Sequence, residues 1–109
     1  MRQKWLIFNK MDINLRENIN YSAGGILSKV IQKSDKLDIT LFSMAEGTEI
    51  SDHTATKQGF VYVIEGKGIF TLEGKDIEML PGVLIQMDEN MVHKLKAEQN
   101  TSFLLTLIN

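Results

Sequence analysis

Apolar residues along the chain fall in short runs, each no longer than a strand and each closed by glycine or polar residues. The runs 26–31, 39–44, 60–64, 69–72, 83–87, 92–97 and 103–108 are rich in Ile, Val, Phe, Tyr, Thr and Leu. Gly24-Gly25, Gly47, Gly59, Gly66, Gly68, Gly74 and Gly82 punctuate them, and Pro81-Gly82 marks a tight turn. Strand-length runs with turn signals at short spacing predict an all-β sandwich or barrel. The stretch 9–20 carries Met11, Ile13, Leu15 and Ile19 at mixed spacing, so it predicts an irregular segment with one turn at most. No repeat, low-complexity tract or linker divides the chain. The expected organisation is a short irregular N-terminal segment over 1–24, packed on the β domain or on a dimer partner, followed by the β domain over 25–109.

Alternation then orients the strands, because successive side chains take opposite faces. Over 92–97, Lys94 and Lys96 define the wet face, so His93 points inward with Leu95 and Ala97. Over 50–55, the same rule groups His53 with Ser51 and Ala55. Over 60–64, Val61 and Val63 share the inward face of Gly59, while Phe60, Tyr62 and Ile64 form an apolar stripe on the outside of the sheet. The stripe is either covered by the N-terminal segment, with 5–8 as the cover, or paired with a second copy. The homodimer is the expectation adopted. Met44, Met87 and Met91 lie near the pocket strands, where methionine fills irregular gaps.

Composition narrows the function classes. A chain of 109 residues supports one domain. Twelve basic against 14 acidic residues give a net charge of −2 with no basic stripe, which excludes a nucleic-acid partner. With Arg2 and Arg16 as the only arginines, both near the N-terminus, the barrel suits a phosphate or a highly charged sugar poorly. The absence of cysteine excludes disulfides, thiolate zinc sites and cysteine nucleophiles. The apolar stretch 5–8 is too short for a signal peptide and no run approaches the ~20 residues of a membrane span, so a cytoplasmic protein without a membrane partner is expected. No nucleophile elbow or phosphate loop is present, and Gly66-Lys67-Gly68 reads as a hairpin turn.

Two stretches carry a resemblance. Residues 47–66 read G-TEISD-H-T-A-TKQ-G-FVYVIE-G, and residues 82–97 read G-VLIQM-D-E-N-MV-H-KLK-A. They resemble the two motifs of the cupin family. In the first motif Gly47, His53 and Gly66 are in register, with Ala55 at the second His position and Gly59 at the Glu position. In the second, Gly82 and His93 are in register, with Asp88, Asn90 and Ala97 replacing Pro, Gly and Asn. The stretch from His53 to Gly66 is also similar to small, stand-alone bacterial cupins in which the second His is commonly absent.

The resemblance implies a jelly-roll β-barrel, a double-stranded β-helix. It also implies a metal held by His, His, Glu and His, of which only His53 and His93 remain here. Asp88 and Glu89, in the turn before His93, could reach the barrel mouth. Three functional readings stay open. The first is binding of a small, partly apolar molecule in a barrel pocket lined by His53, Ala55, Val61 and Val63, together with Met87, Met91, His93 and Leu95. The second is a metal-dependent oxygenase or isomerase with a reduced site, in which His53 and His93 hold a divalent Fe, Mn, Ni, Cu or Zn ion. An interaction module built on the outer stripe is a third.

Overall fold

The structure is a computed structural model that describes residues 1–5 and 11–109, with the backbone alone at Trp5. Ten strands and a single 3-10 turn make up its regular elements: β1 (Arg2–Trp5), the turn (Arg16–Asn18), β2 (Ile26–Lys33), β3 (Leu37–Met44), β4 (Glu49–Thr54), β5 (Gln58–Glu65), β6 (Gly68–Leu72), β7 (Lys75–Met79), β8 (Leu84–Met87), β9 (Val92–Ala97) and β10 (Thr101–Ile108). The N-terminal segment is irregular from residue 11 to 25 apart from that turn, and its first residues add an edge strand to the barrel.

Two sheets form the barrel. One has the order β1-β2-β3-β10-β5-β8 and the other β4-β9-β6-β7. Every described pairing is antiparallel except β1 with β2. After β3 the chain crosses repeatedly between the sheets, which is the jelly-roll path. Gly66-Lys67 is one of these crossings and not a hairpin: β5 pairs with β10 and β8, whereas β6 pairs with β7 and β9. Gly66 adopts φ 108°, and a Cβ there would overlap the Asn100 carbonyl, so this corner requires glycine.

The inner faces interdigitate as the alternation predicts for β5 and β9. Val61 and Val63 are enclosed with Met44 and Phe103 of the same sheet, and Phe70, Met79, Leu95 and Ala97 meet them from the opposite sheet. Strand β7 escapes the apolar-run pattern because only Ile77 and Met79 face the core, opposite Phe70 and Gly68. The outer stripe on β5 is only partly covered. Ile64 is buried beneath the segment whose Arg16 reaches its carbonyl, whereas Tyr62 is 45% exposed. The cover expected from 5–8 lies outside the described residues. Beside it, Lys29 is buried on β2, donating to the Asn18 carbonyl at 2.7 Å and to Asn20 Oδ1 at 2.6 Å, which fixes the 3-10 turn on the sheet.

Candidate functional site

The two histidines meet because β4 and β9 pair in a shifted register. Ile50 lies opposite Leu95 and His53 opposite His93, so three steps on β4 match two on β9. The extra residue is a β-bulge, which re-aims a side chain at the rim of the sheet. Ile50 and His53 therefore both face the interior, and Ser51 is exposed. This corrects the simple alternation that grouped His53 with Ser51 and Ala55.

Behind the histidines lies a cavity of about 210 Å³. The six-stranded sheet contributes Phe42, Val61, Met87, Phe103 and Leu105, and the four-stranded sheet contributes Ile50, Phe70 and Leu95. Met1, ahead of β1, completes the lining, and among the described residues His53 and His93 are its only polar side chains. Phe42 and Phe103 stack with centroids 5.0 Å apart. His93 stacks on Phe70 at 5.7 Å with an interplanar angle of 6°, and meets His53 edge-on at 5.3 Å and 83°.

His93 is 8% exposed and His53 is exposed, so the pair spans the passage from cavity to solvent. His93 Nδ1 lies 3.3 Å from the Met91 carbonyl. A carbonyl only accepts, so Nδ1 carries the hydrogen and Nε2 keeps its lone pair. Burial pushes the His93 pKa below its ordinary value, the Met91 carbonyl opposes that shift, and the neighbouring His53 adds to it. Burial thus favours the neutral ring.

Of the expected pocket residues, His53, Val61, Met87, His93 and Leu95 come together around this cavity. Three do not line it. Ala55 lies beyond the end of β4, where its carbonyl accepts the Asn90 N–H at 2.8 Å. Val63 is fully enclosed in the core cluster, and Met91 contributes its carbonyl to His93 from the turn before β9. The aromatic part of the lining went unanticipated. Phe103 and Leu105 share one face of β10, but that strand is apolar on both faces, so its period was unreadable.

The residues present do not fit the four-ligand metal around which the fold family is built. Ala55 has no ligating side chain. At the carboxylate position, a Cβ on Gly59 would lie 2.9 Å from Leu107 Cδ2, 3.1 Å from the Thr106 carbonyl and 3.3 Å from Met87 Cε. The space of the missing carboxylate is refilled by Leu107 and Met87. Asp88 and Glu89 are exposed, and no three His, Cys, Asp or Glu side chains converge among the described residues.

A larger open groove of about 520 Å³ crosses the outer face of the four-stranded sheet. Its charged walls are partly satisfied by each other, with Lys96 3.7 Å from Glu49 and Thr71 donating to Asp76 at 2.7 Å. Neither histidine reaches it.

Two sheets crossed repeatedly by the chain, with a cavity opening beside a histidine pair, define a jelly-roll barrel of the double-stranded β-helix class. Residues 40–109 match the family model of the cupin domain, well over half of the chain. The chain belongs to the cupin family. Among solved structures it is similar to a conserved protein of unknown function from Streptococcus pyogenes, with TM-score 0.86, 23% identity, and coverage of 94% of this chain and 90% of that one. A cupin superfamily protein from Desulfitobacterium hafniense matches with TM-score 0.84 at 19% identity over 92% of each chain. A cupin 2 conserved barrel domain protein from Leptotrichia buccalis matches with TM-score 0.84 at 30% identity over 89% of this chain, which spans 47% of that protein. No curated protein matches the chain. No helix of the described residues is long and apolar enough to cross a membrane.

Proposed function

We propose that this cupin binds a small, largely apolar molecule inside the barrel, entering past His53 and His93. The observation that carries the reading is the aromatic and aliphatic cavity whose only polar side chains, among the described residues, are two histidines at its mouth. Sites of this composition gain affinity from apolar burial and orientation from a few polar groups. The volume sets the ligand's size. An apolar cavity on the order of 150 Å³ takes one benzene ring, so about 210 Å³ takes a single ring with a small substituent. The reading requires no metal.

The test is calorimetric titration of the protein with single-ring aromatic compounds, toluene first, repeated on Leu105→Phe. That substitution adds volume from β10 into the cavity. Saturable 1:1 binding that is lost in Leu105→Phe is the expected result. Absence of binding by every ring compound, or binding unchanged in a folded Leu105→Phe, refutes the reading.

A further inference from the structure

The cavity's polar end has a fixed sense. His93 Nδ1 is committed to the Met91 carbonyl at 3.3 Å, and Nε2 has no hydrogen-bond partner among the described residues. Nε2 is also not among the fully enclosed polar atoms that lack a partner, which are Tyr21 Oη and Ser102 Oγ. It is therefore accessible, on a side chain that lines the cavity. The Met91 contact fixes this sense of the ring while its plane stays stacked on Phe70 and edge-on to His53.

We infer that the ligand is a neutral single-ring aromatic molecule bearing a hydroxyl or N–H donor, whose hydrogen bonds to His93 Nε2 while its ring lies in the Phe42–Phe103–Phe70 part of the cavity. This rests on the barrel-cavity reading above and names the chemistry of its ligand. The acceptor on His93 selects among polar chemistries. A carboxylate needs donors, and Nε2 of this tautomer has none to give. A hydroxyl buried without a partner loses roughly 1–3 kcal/mol, equivalent to roughly 5- to 150-fold in affinity, so an apolar cavity alone rejects a phenol. The acceptor at His93 Nε2 removes that penalty for a donor and offers nothing to a purely apolar ring.

The experiment titrates phenol, toluene and benzoate against the wild-type protein and His93→Phe, a substitution that keeps an aromatic ring against Phe70 but removes the acceptor. Phenol and toluene both bind the wild type, and benzoate binds at least about tenfold more weakly than phenol. In His93→Phe the ratio of phenol to toluene affinity falls by about tenfold or more. A ratio unchanged in His93→Phe, or benzoate binding as tightly as phenol, overturns the inference and leaves the cavity reading standing. Failure of both phenol and toluene to bind the wild type overturns both. Should His93→Phe not fold, nitrogen NMR of the wild-type imidazoles decides. A lone pair on Nε2 of His93 whose resonance moves with phenol and not with toluene is expected, and a hydrogen on Nε2 overturns the inference.

Discussion

Restoring the missing carboxylate should break this barrel instead of reviving a metal centre. Gly59 has an ordinary backbone conformation, so Gly59→Glu introduces no strain in φ. What it meets is matter. The first new atom lies 2.9 Å from Leu107 Cδ2 and 3.1 Å from the Thr106 carbonyl, with Met87 Cε at 3.3 Å. Leu107 and Met87 end in flexible methyls that can shift. Thr106 cannot move cheaply, because β10 is laddered on both sides, to β3 and β5. Overpacking of this kind costs about 1–3 kcal/mol. The carboxylate then sits between Leu107 and Met87 without a donor, which adds at least about 2 kcal/mol.

The sum is about 3–5 kcal/mol, against a typical domain stability of about 5–15 kcal/mol. Urea unfolding of Gly59→Ala and Gly59→Glu separates the two contributions. Alanine is expected to cost about 1–2 kcal/mol, since reduced freedom of the unfolded chain offsets part of the crowding. Glutamate is expected to cost at least about 2 kcal/mol more, and excess Fe²⁺, Mn²⁺ or Zn²⁺ should not recover it. A Gly59→Glu protein within about 1 kcal/mol of wild type would refute the refilled-site argument. So would metal-dependent stabilisation with one ion per chain by elemental mass spectrometry, since binding to the native state alone raises stability.

Three further outcomes are expected. His93 binds its proton less readily when folded than in the unfolded chain, where its value is near 6.5, so the unfolded state takes up more protons as the pH falls. Its contribution to stability is complete above about pH 6.5 and declines as pH drops below that, a slope that His93→Phe should reduce in urea titrations at stepped pH. Gly66→Ala should lose at least about 3 kcal/mol or fail to fold, because it combines φ 108° with overlap on the backbone at Asn100 and Thr101; a thermal midpoint equal to wild type would contradict the corner geometry. We propose that the uncovered part of the β5 stripe pairs with a second copy: Tyr62 and Leu84 lie directly opposite each other and are 45% and 62% exposed. Light scattering should give a dimer that Leu84→Lys converts to monomer, and a monomeric wild type would refute this.

How much of this was legible in the chain depended on whether a strand had one wet face. On β9 the lysines at 94 and 96 declare the outside, and His93, Leu95 and Ala97 are buried as alternation requires. On β5 the same logic enclosed Val61 and Val63, and two motifs in order located the barrel. Where both faces are covered, the period vanishes. On β10, Phe103, Leu105 and Leu107 share one face while Leu104 and Ile108 put apolar side chains on the other, so the pattern does not tell inside from outside, and Phe103 and Leu105 were missed. Strand β4 failed for a different reason. Its bulge inserts one residue into a strand that is mostly exposed, and nothing in Ile50-Ser51-Asp52-His53 marks where the register slips.

The refilled carboxylate position was invisible for a third reason, and it bears most on function. A glycine in a motif reads as a simple loss, an empty place where a ligand once stood. Only packing reveals that Leu107, more than forty residues away in sequence, and Met87 occupy that place. Deletion alone would have left a polar void that water or a borrowed ligand could complete. Refilling with two apolar side chains instead extends the greasy wall formed by Val61, Phe70 and Leu105, beside His53 and His93. The same substitutions that disqualify the four-ligand metal thus build the cavity that a small ring with one donor would fill.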